Sequence, residues 1–191
     1  MWLNPSSTAT TTSRKVFGLS PISLRSPVHI SIDSSNKLSF GTVYSGEMIT
    51  WTVDDASKLP EDEWTHVVVV FNGSASNSAQ SDSSAIFYIN GSAYSGTVNR
   101  TSSSGAFPTG NPDAYDYTGQ TFYGWVLGLG QDGSLSSFTG KVDDLAIWKT
   151  LLSSSEVTTS YNSGGPYDLK TIQASHVVAW WRMGDSPFDT E

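Results

Sequence analysis

The sequence predicts an all-β protein, a sandwich of two antiparallel sheets with one short helix near the C-terminal part, and three observations carry this. Seven Trp and eight each of Tyr and Phe occur in a chain rich in Ser, Thr and Gly, and aromatic and β-branched side chains suit a pleated, half-buried surface. Short alternating runs recur between clusters of Ser, Asn, Asp and Gly, the punctuation of strands and hairpins. Residues 64–71 carry valines on both parities, Val67 to Val70, so this strand is expected to be covered on both faces and to lie inside a sheet.

Taken in order, Met1-Trp2-Leu3-Asn4-Pro5 reads as the middle of a strand ended by proline, which leaves room for sequence upstream. Residues 6–14 form a Ser/Thr tract without apolar period, hence a loop. Residues 15–19 make a short strand, and 28–33 alternate with Val28, Ile30 and Ile32 on one face and His29 on the other. Ser34-Ser35-Asn36 turns the chain into 37–40. Ile49, Trp51 and Val53 share a face of the next strand, and 54–62 is an acidic loop. The strand at 85–91 ends in Asn90-Gly91, a pair that tolerates positive φ and so turns sharply. Residues 92–120 show no sustained period, and a connection that long is either functional or hides short strands. A glycine-opened strand follows at 121–130, and the last core strand at 138–148. There Leu145 and Ile147 share a parity with Asp143, while Val142, Ala146 and Trp148 share one with Asp144. Ser153-Ser154-Ser155-Glu156 is a capping box for a helix over about 154–161, stopped by Gly164-Gly165-Pro166. The tail, Val177-Val178-Ala179-Trp180-Trp181, has apolar groups on both faces and is expected to pack as a strand rather than hang free.

With 191 residues and 37% hydrophobic composition, the chain suits one sandwich domain. A net charge of -8 and a pI near 4.6 exclude nucleic acid and anionic membrane surfaces as natural partners, because the field repels both. The absence of cysteine removes disulfide frameworks and zinc-thiolate sites. No apolar run reaches the roughly 20 residues of a membrane span, so no membrane insertion is expected, and the first residues lack the form of a signal peptide.

Trp64-Thr65-His66-Val67 followed by Phe87-Tyr88-Ile89-Asn90-Gly91 resembles the core of laminin-G-like and pentraxin-like domains of the concanavalin A-like lectin/glucanase superfamily. The passage from Gly140 to Trp148 and on through Leu152 to Val157 resembles the laminin-G-like run of Gly-x-hydrophobic-Asp-Asp into Leu-Ser-x-x-Glu-Val. This resemblance implies a jelly-roll sandwich over 1–163, with 164–191 as a C-terminal segment. The tail resembles the strand that usually begins such a domain, so it either packs on this sandwich or opens a following repeat; Trp-Trp-Arg-Met-Gly-Asp also resembles tails of phage structural proteins. The implied function is a non-enzymatic carbohydrate- or protein-binding module, extracellular or on a virion surface, within a larger homo-oligomeric assembly. The alternative is a structural decoration domain of a virion that binds no sugar. Function rests on the site and not on the fold, so the fold does not choose between them.

Two sets of residues carry the site expectations. Exposed Trp or Tyr faces stack on pyranose rings, which nominates Tyr115, Tyr117, Tyr123 and Trp125 for the ligand, against ordinary core packing for any one of them. Leu127-Gly128-Leu129-Gly130-Gln131-Asp132 followed by Phe138-Thr139-Gly140 resembles the pentraxin stretch that binds calcium, although an acidic residue and the disulfide of that family are missing. Calcium, with Gln131, Asp132 and Asp143 as oxygen ligands, is the cofactor this implies; an Asp-Gly hairpin turn is the plain reading. The Glu-x-Asp-x-x-Glu motif of the family's glucanases is absent, and three His without Cys or a Gly-x-Ser-x-Gly motif leave nucleophilic schemes without their parts. His66 reads as an interior hydrogen-bonded residue.

Overall fold

The computed structural model describes residues 1–7, 12–21, 28–44, 47–54, 57–72, 84–100, 122–128 and 136–183. The strands are β1 (Trp2–Pro5), β2 (Arg14–Pro21), β3 (Val28–Ile32), β4 (Leu38–Tyr44), β5 (Glu47–Val53), β6 (Thr65–Phe71) and β7 (Ala85–Ile89). They continue with β8 (Ser92–Arg100), β9 (Phe122–Leu127), β10 (Ser136–Ser137), β11 (Gly140–Asp143) and β12 (Leu145–Trp148). Among the described residues an α-helix, α1 (Ser154–Tyr161), short 3-10 turns at Asn162–Gly164, Leu169–Thr171 and Ala174–His176, and a last strand, β13 (Val177–Trp181), follow. An 11-stranded sheet runs β10-β2-β3-β4-β5-β8-β7-β6-β1-β11, with β9 also on β2, and curls over itself into a jelly-roll sandwich. Its pairings are antiparallel except β10 with β2, and β12 and β13 form a second, small antiparallel sheet.

The curl happens at β8. Its residues 96–100 pair with β5, while 92–95 pair with β7, so one strand serves both halves. Gly96 sits at the changeover, where an added Cβ would lie 2.5 Å from the Phe87 ring and 3.2 Å from the Trp51 Cβ. Only glycine lets the bend close onto these two core residues. Part of the stretch without clear period in the sequence is thus a strand, hidden because its side chains are small, polar and largely exposed.

The main core lies between the two halves. Leu3, Ile32, Leu38, Ile49, Trp51, Val53, Val67 and Phe87 are almost fully buried there, and Phe40, Trp51 and Phe71 pack ring on ring at 4.9–5.9 Å. Burial of each such side chain is worth roughly 1.5–3 kcal/mol. A second apolar cluster covers the outer face of β6 and β7: Tyr88, Leu152, Val157, Leu169 and Ile172, with Val68 and Val70 packed on it. Because Val67, Val69 and Phe71 serve the main core, β6 is covered on both faces.

α1 starts at the capping box. The Ser153 hydroxyl accepts from the Glu156 amide at 3.3 Å, and Glu156 accepts from the Ser153 amide at 2.7 Å. It ends at Asn162, whose φ of 46° is left-handed, before the Gly-Gly-Pro stop is reached. One parity expectation fails. Val142 and Leu145 both reach the main core, because Asp144 takes a left-handed φ of 48° and slips the alternation by one residue between β11 and β12. On β1, Met1 and Leu3 join the main core, while Trp2 packs on the other face against His66 and Tyr161, at 5.0 and 6.0 Å.

Candidate functional site

β9 pairs with β2 so that Leu19 faces Trp125 and Phe17 faces Leu127. Residues directly opposite in an antiparallel pair share a face, and Phe17 is core-facing, so Trp125 and Leu127 project from the inner face, where Trp125 and Phe17 line an apolar pocket with β6 and β12. There they are left 46% and 43% exposed. The Trp125 ring lies flat on Phe17, with centroids 5.0 Å apart and planes at 3°. Phe17 in turn meets Trp181 of β13 at 6.3 Å. One indole face is thus held by a rigid neighbour and half the side chain stays in contact with water. A preset aromatic surface of this kind stacks on the C–H face of a sugar or on an apolar side chain without first ordering itself.

Of the other nominated ligand residues, Tyr115 and Tyr117 lie outside the described residues, and Tyr123 is described only as backbone of β9. Of the nominated metal ligands, Gln131 and Asp132 also lie outside them. Asp143 closes β11 opposite Trp2, and its Oδ1 accepts the Asp144 amide at 2.8 Å. Among the described residues no group of three or more His, Asp or Glu side chains is placed to hold a metal ion. Asp143 alone does not make a calcium site, since calcium takes 6–8 oxygens.

His66 is interior. Its Nε2 is 3.4 Å from the Ser160 hydroxyl, Asn90 accepts from its backbone amide at 2.9 Å, and its Nδ1 has no hydrogen-bond partner. Desolvation, and then the positive Met1 amino group, lowers its pKa to about 3, so it stays neutral and serves packing.

A polar arrangement at the far edge was not legible in the residues alone. Trp180 donates from Nε1 to Asp144 Oδ1 at 2.9 Å, while the Lys170 ammonium and Arg182 guanidinium lie 5.8 and 5.5 Å from its ring centroid. The Asp143-Asp144 pair was visible, but the positive φ that turns Asp144 toward Trp180 was not. No helix among the described residues is long and apolar enough to cross a membrane.

Comparison with known proteins adds three findings. The laminin-G-like family described as the concanavalin A-like lectin/glucanases superfamily matches residues 1–158. No curated protein matches the chain. Among solved structures, the crystal structure of a native heptameric SAP-like pentraxin from Limulus polyphemus is similar, at 18% identity over 86% of this chain and 68% of that one, with a TM-score of 0.49.

Proposed function

The chain belongs to the concanavalin A-like lectin/glucanase superfamily, and from that premise we propose that it is a non-enzymatic, lectin-like module that binds a glycan or a protein partner at the aromatic ledge around Trp125. Laminin-G-like domains are generally binding modules rather than enzymes and are typically extracellular. The observation that carries the reading is the flat Trp125–Phe17 stack, its indole half exposed and backed by a buried ring. A core tryptophan would be enclosed, and a mobile surface tryptophan would not be stacked at 3°. Tyr115, Tyr117 and Tyr123 belong to the ligand surface in this reading, and calcium is held by Gln131, Asp132 and Asp143. The protein works at a cell or virion surface.

Glycan-array binding of the intact chain and of Trp125→Ala tests this. The expected result is a defined set of glycans bound by the intact chain and lost in the variant, with melting temperature held. A variant that binds the same glycans as well as the intact chain overturns the assignment of the ledge. An array without any bound glycan, together with no bound protein partner, favours the structural decoration role.

A further inference from the structure

The outer face of the sandwich carries a polar groove that shares no residue with the Trp125 ledge. Trp125 projects from the inner face, whereas Tyr167, Leu169, Ile172 and Trp180 belong to the cluster on the outer face of β6 and β7. Two adjoining depressions open there, of about 490 and 430 Å³, and Tyr167 lines both. The first lies between the β7–β8 turn and the end of α1, and the second lies beside Trp180.

At the second depression two cations meet at a fixed ring. The Trp180 indole is anchored by its bond to Asp144, which is itself buried. The Lys170 ammonium and Arg182 guanidinium near its centroid are attracted by the negative face of the ring. A short turn sets Lys170, with Asp168 Oδ1 accepting its backbone amide at 3.1 Å. Among the described residues no carboxylate lies within ion-pair distance of the Lys170 ammonium. The two carboxylates that line the depression are already engaged, Asp144 by the indole and Asp168 by the amide. Two cations thus converge on one opening in a chain whose Asp and Glu outnumber its Lys and Arg 18 to 10. Like charges so placed repel, and an anionic group seated against both relieves the repulsion.

The first depression is uncharged and offers hydrogen bonds of both senses. Asn90 Oδ1 accepts the His66 amide, which leaves Nδ2 as a donor, and Asn162 Nδ2 donates to the Pro166 carbonyl, which leaves Oδ1 as an acceptor. The Thr158 and Thr159 hydroxyls donate back into α1, to the Ser154 and Ser155 carbonyls at 2.9 Å, so their oxygens accept from outside. Donors and acceptors beside the half-buried Tyr167 ring suit the hydroxyls of a sugar.

We infer that this groove is a second binding site, for an acidic oligosaccharide. A carboxylate or sulfate on one sugar pairs with Lys170 and Arg182 beside Trp180, and the hydroxyls of the next sugar bond to Asn90, Thr159 and Asn162 on the other side of Tyr167. Charge-assisted hydrogen bonds are roughly twice as strong as neutral ones, so the acidic group sets the specificity and the hydroxyls set the orientation. The net charge of -8 opposes this far less than it opposes a nucleic acid. One acidic group needs only a local pair of cations, and the wider field is screened beyond about 10 Å at 0.1 M salt. The ligand class rests on the lectin-like reading, while the site itself is independent of the ledge.

The test is calorimetric binding of the intact chain to tri-galacturonate, to a sulfated galactotriose and to plain galactotriose, with the indole resonances followed alongside. An acidic trimer is expected to bind about tenfold or more tighter than the neutral one and to shift the Trp180 signal. Whether the uronate or the sulfated trimer does so tells carboxylate from sulfate. Lys170→Met keeps the aliphatic stem and is expected to weaken that binding about tenfold. Lys141→Met, the same loss of charge on β11, leaves it unchanged; both lysines are exposed, so both variants keep the fold. Equal binding of acidic and neutral trimers, binding of none of the three, or equal weakening by the two variants overturns the proposal. Array glycans lost in Trp125→Ala, with no acidic trimer bound, would leave the ledge standing and remove the groove; an acidic trimer held through Lys170 does the reverse for the groove whatever the array shows.

Discussion

His66 makes the stability of this fold depend on pH in a way that can be worked out. Its folded pKa of about 3 lies below the ordinary 6.5, chiefly because burial penalises the imidazolium. The unfolded chain therefore takes up a proton that the folded chain refuses as pH falls below 6.5. Stability from this group is complete above that value and is lost progressively down to about 3, at about 1.4 kcal/mol per pH unit. At pH 5 the loss is about 2 kcal/mol, which for a domain of this size is a fall of about 4–8 °C in melting temperature. Carboxylates add their own dependence, so the perturbation is compared with His66→Gln, which leaves an uncharged hydrogen-bonding group beside Ser160. Denaturant unfolding of both proteins at pH 7, 6 and 5 should give curves that converge as pH falls, the intact chain losing about 2 kcal/mol more than the variant. Parallel pH dependences, or a His66 imidazole that titrates near 6.5 in the folded protein, would refute the reasoning.

Three further outcomes can be measured. Gly96→Ala forces a methyl group against Phe87 and Trp51 and should destabilise by about 1–3 kcal/mol, seen as a lower urea midpoint at unchanged slope. Ser153→Ala removes the cap of α1 and should cost about 1 kcal/mol, with the effect read by exchange of the Glu156 and Val157 amides. Under the calcium proposal, added calcium raises the melting temperature by mass action and Asp132→Asn removes the increment; melting that is identical in calcium and in chelator leaves the plain hairpin turn.

Much of the fold was legible because strand alternation is a local rule. Valines on both parities announced that β6 is covered twice, by the main core and by the α1 cluster. The same rule sends Trp180 to the outer cluster and Trp181 to the main core. Ser153 and Glu156 announced the start of α1 three residues apart. What escaped depends on single backbone angles or on distant pairing. The left-handed turn at Asp144 reversed the expected faces downstream of it, and the polar strand β8 looked like a loop because its apolar contribution is spread over two half-sheets. In the candidate site, Trp125 could be nominated as an aromatic next to glycines, but its stacking on Phe17 required the register of β9 on β2, which no short motif encodes. The apolar pocket beside Trp125 was likewise invisible, since β6 and β12, which line it with Phe17 and Trp125, lie about 75 residues apart in sequence.

The claim that the ledge is a binding surface is tested most directly by the indole resonances of the seven tryptophans during titration with a glycan selected from the array. The account predicts a saturable shift of the Trp125 signal, assigned by its loss in Trp125→Phe, while the enclosed Trp51 stays still. A bound glycan that leaves Trp125 unmoved, or shifts other tryptophans instead, would contradict it.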